Sequence, residues 1–153
     1  MRRRSGFTMI ELLVVMALLV GLTMMAAPKI SSARERSSLS SARQQLTATV
    51  AAARAAAVQK GRPSQLRVKN GVVSVWAADM AGNVQVVTQT SYATEYGVTL
   101  TLANASDTLI TFEPRGFSRR LATPARFVLQ RGAMKDSVCL TVLGKLLPRG
   151  CVQ

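Results

Sequence analysis

GFTMIELLVV, Gly6 to Val15, follows MRRRS directly and opens an apolar run that continues to Ala27. Between Phe7 and Ala27 the only ionisable side chain is Glu11. At about 1.5 Å per residue, a helix of roughly 20 residues spans the hydrocarbon thickness of a bilayer. The stretch is therefore a membrane segment or a signal peptide. A cleaved signal peptide fits the basic start, and Met25, Ala26 and Ala27 imitate its cleavage site, but its apolar part is normally roughly 7 to 15 residues long. A plain single-span anchor explains the length and leaves Glu11 unexplained, because an acid in a membrane helix costs about 2.5 to 3.5 kcal/mol near the centre and less near an end. Such a residue calls for a partner. Arg2, Arg3 and Arg4 precede the run, and Lys29, Arg34 and Arg36 follow it. The triple arginine sits on a very short segment, which by the positive-inside tendency leaves the extreme N-terminus in the cytoplasm and the body outside.

Outward from this stretch, Pro28 ends the apolar run and predicts a kink, since its ring removes a backbone donor and crowds the preceding turn. The pattern then becomes amphipathic. Leu39, Ala42, Leu46, Val50, Ala53 and Ala57 recur at steps of three and four, one face of a helix from about Ile30 to Lys60. Gly61 and Pro63 stop it. Lys29, Arg36, Arg43 and Arg54 form a basic stripe flanking the apolar face, read as a solvated face in preference to a contact with other subunits or a polyanion.

Beyond Pro63 the signals are those of strands. QLRVK-NG-VVSVW, Gln65 to Trp76, is two alternating runs joined by Asn70-Gly71, the favoured residues of a type I′ hairpin turn. Further strands are expected at Val84 to Thr88, Val98 to Leu102, Thr108 to Phe112, Arg126 to Gln130 and Val138 to Val142. Together they predict a small antiparallel β-domain against the amphipathic half-helix, an α+β fold.

The chain has 153 residues, 48% of them hydrophobic, enough for one compact domain and an appendage. It has no histidine, which removes the commonest general base and metal ligand together and argues against zinc chemistry and Ser/His/Asp catalysis. No cluster of nucleophile, base and orienting group stands out, so no enzyme, metal site or cofactor is expected. The two cysteines, Cys139 and Cys151, are an even pair near the C-terminus, and in an exported chain such a pair is more often a disulfide than a metal site.

The run Arg-Arg-Arg-Ser-Gly6, then Phe7-Thr8-Met9-Ile10-Glu11 and a continuous apolar helix, resembles the class III prepilin leader of type IV pilins and type II secretion pseudopilins. The resemblance implies cleavage between Gly6 and Phe7 by a prepilin peptidase on the cytoplasmic side, N-methylation of Phe7, and retention of the helix. Glu11 then lies one turn from the new terminal amine. An unpaired carboxylate in a low-dielectric filament core is expensive, so a neighbouring subunit's amine is its natural counter-charge, and Glu11 registers each incoming subunit. The implied organisation is a leader at 1–6, a transmembrane and filament-core helix at 7–28, an amphipathic helix at 29–61, and a β-domain with a C-terminal disulfide loop at 62–153. The implied location is the bacterial inner membrane, spanned once, with the C-terminal domain in the periplasm. The implied partners are the prepilin peptidase, other pilins or pseudopilins and the assembly platform.

A second resemblance covers the C-terminal part. Ile110-Thr111-Phe112-Glu113-Pro114-Arg115-Gly116-Phe117-Ser118, with an F-x-P-x-G turn, followed by Phe127-Val128-Leu129 and Val138-Cys139-Leu140-Thr141, is similar to the GspH/FimT family of minor pseudopilins and pilins. That implies a minor structural subunit of a type II secretion pseudopilus or type IV pilus, or alternatively a DNA-binding minor pilin for DNA uptake. Without the leader the chain keeps 17 basic and 7 acidic side chains, a net +10, which suits DNA, anionic lipid or an acidic protein surface. Arg119, Arg120, Lys145 and Arg149 are the candidate polyanion contacts. DNA-binding relatives carry a compact G-R-x-R between the cysteines. Here Lys145 replaces the first arginine and Arg149 falls four residues later, which loses a bidentate fork.

Overall fold

The computed structural model describes residues 7–79, 82–103, 109–119 and 124–148. The chain divides into two units, Met1–Glu35 and Arg36–Gln153. One helix, α1 (Met9–Lys60), contributes to each. Within the first unit the apolar side chains from Met9 to Met24 are all exposed, and the helix is long and apolar enough to cross a membrane. Pro28 does not interrupt α1, although it withholds one backbone donor from the helical ladder.

In the second unit the helix lays one face on two antiparallel sheets. Leu39, Ala42, Leu46, Val50, Ala53 and Ala57, the residues that recur every three or four positions, are all buried. The first sheet has the order β3-β2-β1-β5-β6, from β1 (Ser64–Lys69), β2 (Val72–Asp79), β3 (Gly82–Ser91), β5 (Leu109–Phe112) and β6 (Ser118–Arg119). The second has the order β4-β7-β8-β9, from β4 (Thr99–Leu102), β7 (Ala125–Arg131), β8 (Met134–Leu140) and β9 (Leu146–Pro148). Leu66, Val75 and Phe112 from the first sheet meet Leu100, Phe127 and Leu140 from the second in one apolar core with the helix. The buried Ser64 hydroxyl donates to the Ala53 carbonyl at 2.5 Å and fastens the start of β1 to α1.

The expected hairpin is present. Asn70 (φ 52) and Gly71 (φ 73) both take the left-handed conformation that a type I′ turn requires. On β1, Leu66 and Val68 face the core while Gln65, Arg67 and Lys69 face away from it. β3 is twice the length read from the alternation. It stands at a sheet edge, is exposed along most of its length and carries no charge and no proline. β8 begins earlier than expected, at Met134, because Arg131 and Met134 close a hairpin over Gly132-Ala133. Thr141 and Val142, expected in that strand, instead form the turn to β9. Thr108, expected in β5, lies outside the described residues.

A short helix, α2 (Tyr92–Tyr96), was not foreseen. Ser91 Oγ accepts from the Thr94 N–H at its start, and Gly97 ends it in the left-handed conformation. Tyr92 is fully buried, and its hydroxyl makes no hydrogen bond among the described residues; the nearby Thr49 hydroxyl, which donates to the Gln45 carbonyl, acts on it weakly against the effect of burial. Burial therefore pushes the phenol well above its ordinary value.

Two variants probe this architecture. An unfolded tyrosine ionises near pH 10. The folded state holds Tyr92 protonated beyond that, so its contribution to stability is complete below pH 10 and is lost as pH rises above it. Tyr92→Phe is expected to match or exceed the parent stability at pH 7 and to lose less of it between pH 8 and 11, measured by urea unfolding. Gly144→Ala is expected to cost about 1 to 3 kcal/mol in the same assay. Gly144 has φ +73, and an added Cβ would stand 2.8 Å from the Gly116 carbonyl oxygen.

Candidate functional site

The first functional element is the start of α1. The Thr8 carbonyl accepts the first helical hydrogen bond, from Leu12 N–H at 3.3 Å, and the Thr8 hydroxyl accepts from Glu11 N–H at 3.3 Å. Thr8 is thus the N-cap and Glu11 the third helical residue, the two fixed positions of a capping box. A carboxylate in the first turn also faces the positive end of the helix dipole. Phe7, immediately before the cap, is exposed, and so is Glu11. The local structure therefore makes Thr8 an N-cap that sequence reasoning missed; the spacing Thr8-x-x-Glu11 was the available signal.

The second element joins the two sheets. Gly116 N–H donates to the Glu113 carbonyl and Glu113 N–H to the Phe117 carbonyl, both at 2.8 Å, which makes F-x-P-x-G the tight β5–β6 turn that its proline and glycine suggest. The β8–β9 turn is closed by Gly144 N–H to the Thr141 carbonyl and Thr141 N–H to the Lys145 carbonyl, both at 2.9 Å. Ser118 N–H donates across to the Val142 carbonyl at 3.2 Å. The Arg54 side chain lies against both turns: a Cβ on Gly116 would meet its Nε at 2.9 Å, and one on Gly144 would be 3.9 Å from its Cδ. Phe117, Val142 and Leu143 leave large apolar surfaces exposed at this junction.

The basic residues divide between the fold and the surface. Arg43 pairs with Asp136 at 3.3 Å, a half-exposed contact worth about 0 to 1 kcal/mol. Arg131 bridges the Ser38 hydroxyl and the Tyr96 carbonyl, tying α1 and α2 to β7. Of the stripe on α1, Arg43 and Arg54 thus serve contacts within the second unit, which departs from a purely solvated face. Arg119 sits on β6 with Nε 3.4 Å from Glu113 Oε1. Lys145 is exposed at the end of the β8–β9 turn. Arg120 and Arg149 lie outside the described residues, as do Gly6 and Cys151. Cys139 is buried on β8, opposite Arg126 on one side and Leu147 on the other.

Comparison with known proteins agrees with this geometry. Residues 42–144 match the family described as type II transport protein GspH, and residues 1–26 match the prokaryotic N-terminal methylation motif. No curated protein is similar enough to count as a match. Among solved structures, the chain is similar to the type IV minor pilin FimU of Pseudomonas aeruginosa in two crystal forms. One has a TM-score of 0.60 and 17% identity, covering 76% of this chain and 91% of that one. The other has 0.56 and 16%, covering 72% and 92%. It is also similar to the minor pseudopilin EpsH of the Vibrio cholerae type 2 secretion system, with a TM-score of 0.51 and 15% identity over 75% of this chain and 95% of that one. The family match spans two thirds of the residues and the leader motif most of the rest: the chain belongs to the GspH family of minor pilins and pseudopilins.

Proposed function

We propose that the chain is a structural filament subunit of the inner membrane, cut between Gly6 and Phe7 by a prepilin peptidase, methylated on Phe7, and drawn into a periplasmic or surface filament. Residues 7–28 span the membrane and later enter the filament core, residues 29–61 form the amphipathic half-helix, and the C-terminal domain from residue 62 faces the periplasm, where it meets other pilins or pseudopilins and the assembly platform. The role is assembly, not catalysis.

The observation that carries this reading is the placement of Glu11 in the first turn of an exposed apolar helix whose cap follows Phe7 directly. Cleavage after Gly6 would put a cationic amine on Phe7, one turn from the Glu11 carboxylate. Within one chain the cap already uses the Glu11 backbone N–H, and the carboxylate stays available for the amine of the preceding subunit. We further propose that Cys139 pairs with Cys151. Cys139 is not a free thiol, and the chain has two cysteines. The bridge would contribute on the order of 3 kcal/mol and pin the terminal segment to β8.

The DNA-uptake reading rests on the basic surplus alone: Arg119 keeps 71% of its side chain exposed beside Glu113, and Lys145 is exposed on its turn.

Gly6→Leu is expected to leave the leader uncut when the chain is co-expressed with a prepilin peptidase; a product of the mature size on a gel would refute the cleavage site. Glu11→Ala is expected to be processed and inserted normally yet to enter filaments at a small fraction of the parent level, as read by immunoblotting of sheared filaments. Full incorporation would sink the charge-pairing account.

A further inference from the structure

The face of the first sheet that points away from the core carries a groove. The register aligns Leu109, Arg67 and Ser74 in one row across β5, β1 and β2, and Thr111, Gln65 and Trp76 in the next. The Arg67 guanidinium lies over the Trp76 ring, 5.1 Å from its centroid, and Arg67 Nη2 donates to Gln65 Oε1 at 2.9 Å. Trp76 Nε1 in turn donates to Ser74 Oγ at 3.1 Å. These contacts hold a normally mobile cation in one orientation and, among the described residues, leave other N–H donors of its fork unused. Beside it opens a cavity of about 460 Å³, within the size range of ligand pockets and enough for side chains of a short peptide. Lys69 and Asn70 stand at one end, Val72 and Leu109 supply apolar walls, and Gln89 reaches in from β3. None of the residues lining it is acidic.

We propose that this groove docks an acidic peptide segment of another protein. Its carboxylate is held by Arg67 and Lys69, its backbone amides by Asn70 and Gln89, and an adjacent aliphatic side chain by Val72 and Leu109. Charge complementarity selects the partner: among the described residues, two cations and no acid line this pocket, on a chain of net charge +13. The chemistry favours peptide over nucleic acid because one face of Trp76, the aromatic platform a base would need, is already covered by Arg67. The inference rests on the sheet face alone and stands whether or not the chain enters a filament.

Trp76 is the chain's only tryptophan, so its emission reports this groove directly. The full chain in non-ionic detergent is titrated with an end-capped six-residue peptide alternating glutamate and valine, beside one alternating glutamine and valine. A saturable change in emission is expected with the first peptide alone, weakened by added salt. Lys69→Ala, which leaves the Arg67–Trp76 contact intact, is expected to raise the midpoint about tenfold, as is Arg67→Gln. No emission change, an equal response to the glutamine peptide, or a midpoint unmoved by Lys69→Ala overturns the proposal. A six-nucleotide oligothymidylate that shifts Trp76 emission at lower concentration than the acidic peptide also overturns it and assigns the groove to nucleic acid.

Discussion

The buried face of α1 between Leu39 and Ala57 is the constraint from which the second unit follows. Two sheets must share one helical surface about five turns long, and three of its six central positions are alanine, so strand side chains from both sheets reach the helix backbone closely. The core sets branched and aromatic strand residues, Phe112, Phe127, Leu66 and Leu140 among the largest, against a helix face of Leu39, Leu46, Val50 and three alanines. Because neither sheet can cover its inner face without that surface, helix and sheets are interdependent. The Ser64 to Ala53 bond and the Arg131 bridge then fix the angle at which each sheet meets the helix.

At the opposite extreme, every described residue of the first unit from Phe7 to Met24 is exposed. Apolar side chains left open in this way meet the physical condition for a segment whose solvent is lipid or other copies of the same helix. A carboxylate at the head of such a helix is tolerable because it sits where the backbone dipole is positive and four amides point outward. Capping employs only the Glu11 amide, which donates to the Thr8 hydroxyl.

Where local chemistry decided, the sequence was legible. Asn70-Gly71 announces its hairpin because both residues accept positive φ, and the helix face follows from steps of three and four. F-x-P-x-G reads correctly as a turn. What it could not reveal was that Gly116 lies against Gly144 and Arg54, since contacts between turns some thirty residues apart leave no local pattern. The division into two sheets was equally hidden, because β5 pairs with β1 across some forty intervening residues. α2 and the strands β6 and β9 are too short for periodicity to register. At the candidate sites, the leader was readable through the resemblance of its motif, whereas the basic residues were not: charge on a page does not distinguish Arg131, spent on two internal acceptors, from Lys69, open to solvent.

The long edge of β3 gives the excess charge a second meaning. The other sheet edges are strands of two to four residues, while β3 presents ten residues with Val84 and Val86 exposed and no lysine or proline to discourage pairing. Register shifts where β2 pairs with β3, at Val73/Val75 and Val75/Trp76, twist this edge locally, and the charge of the chain adds to that protection. Copies of a chain with this net positive charge also repel each other before their edges can meet, and that repulsion reaches only about a Debye length. The basic surplus therefore opposes edge-to-edge pairing, and its strength falls as the surrounding ionic strength rises.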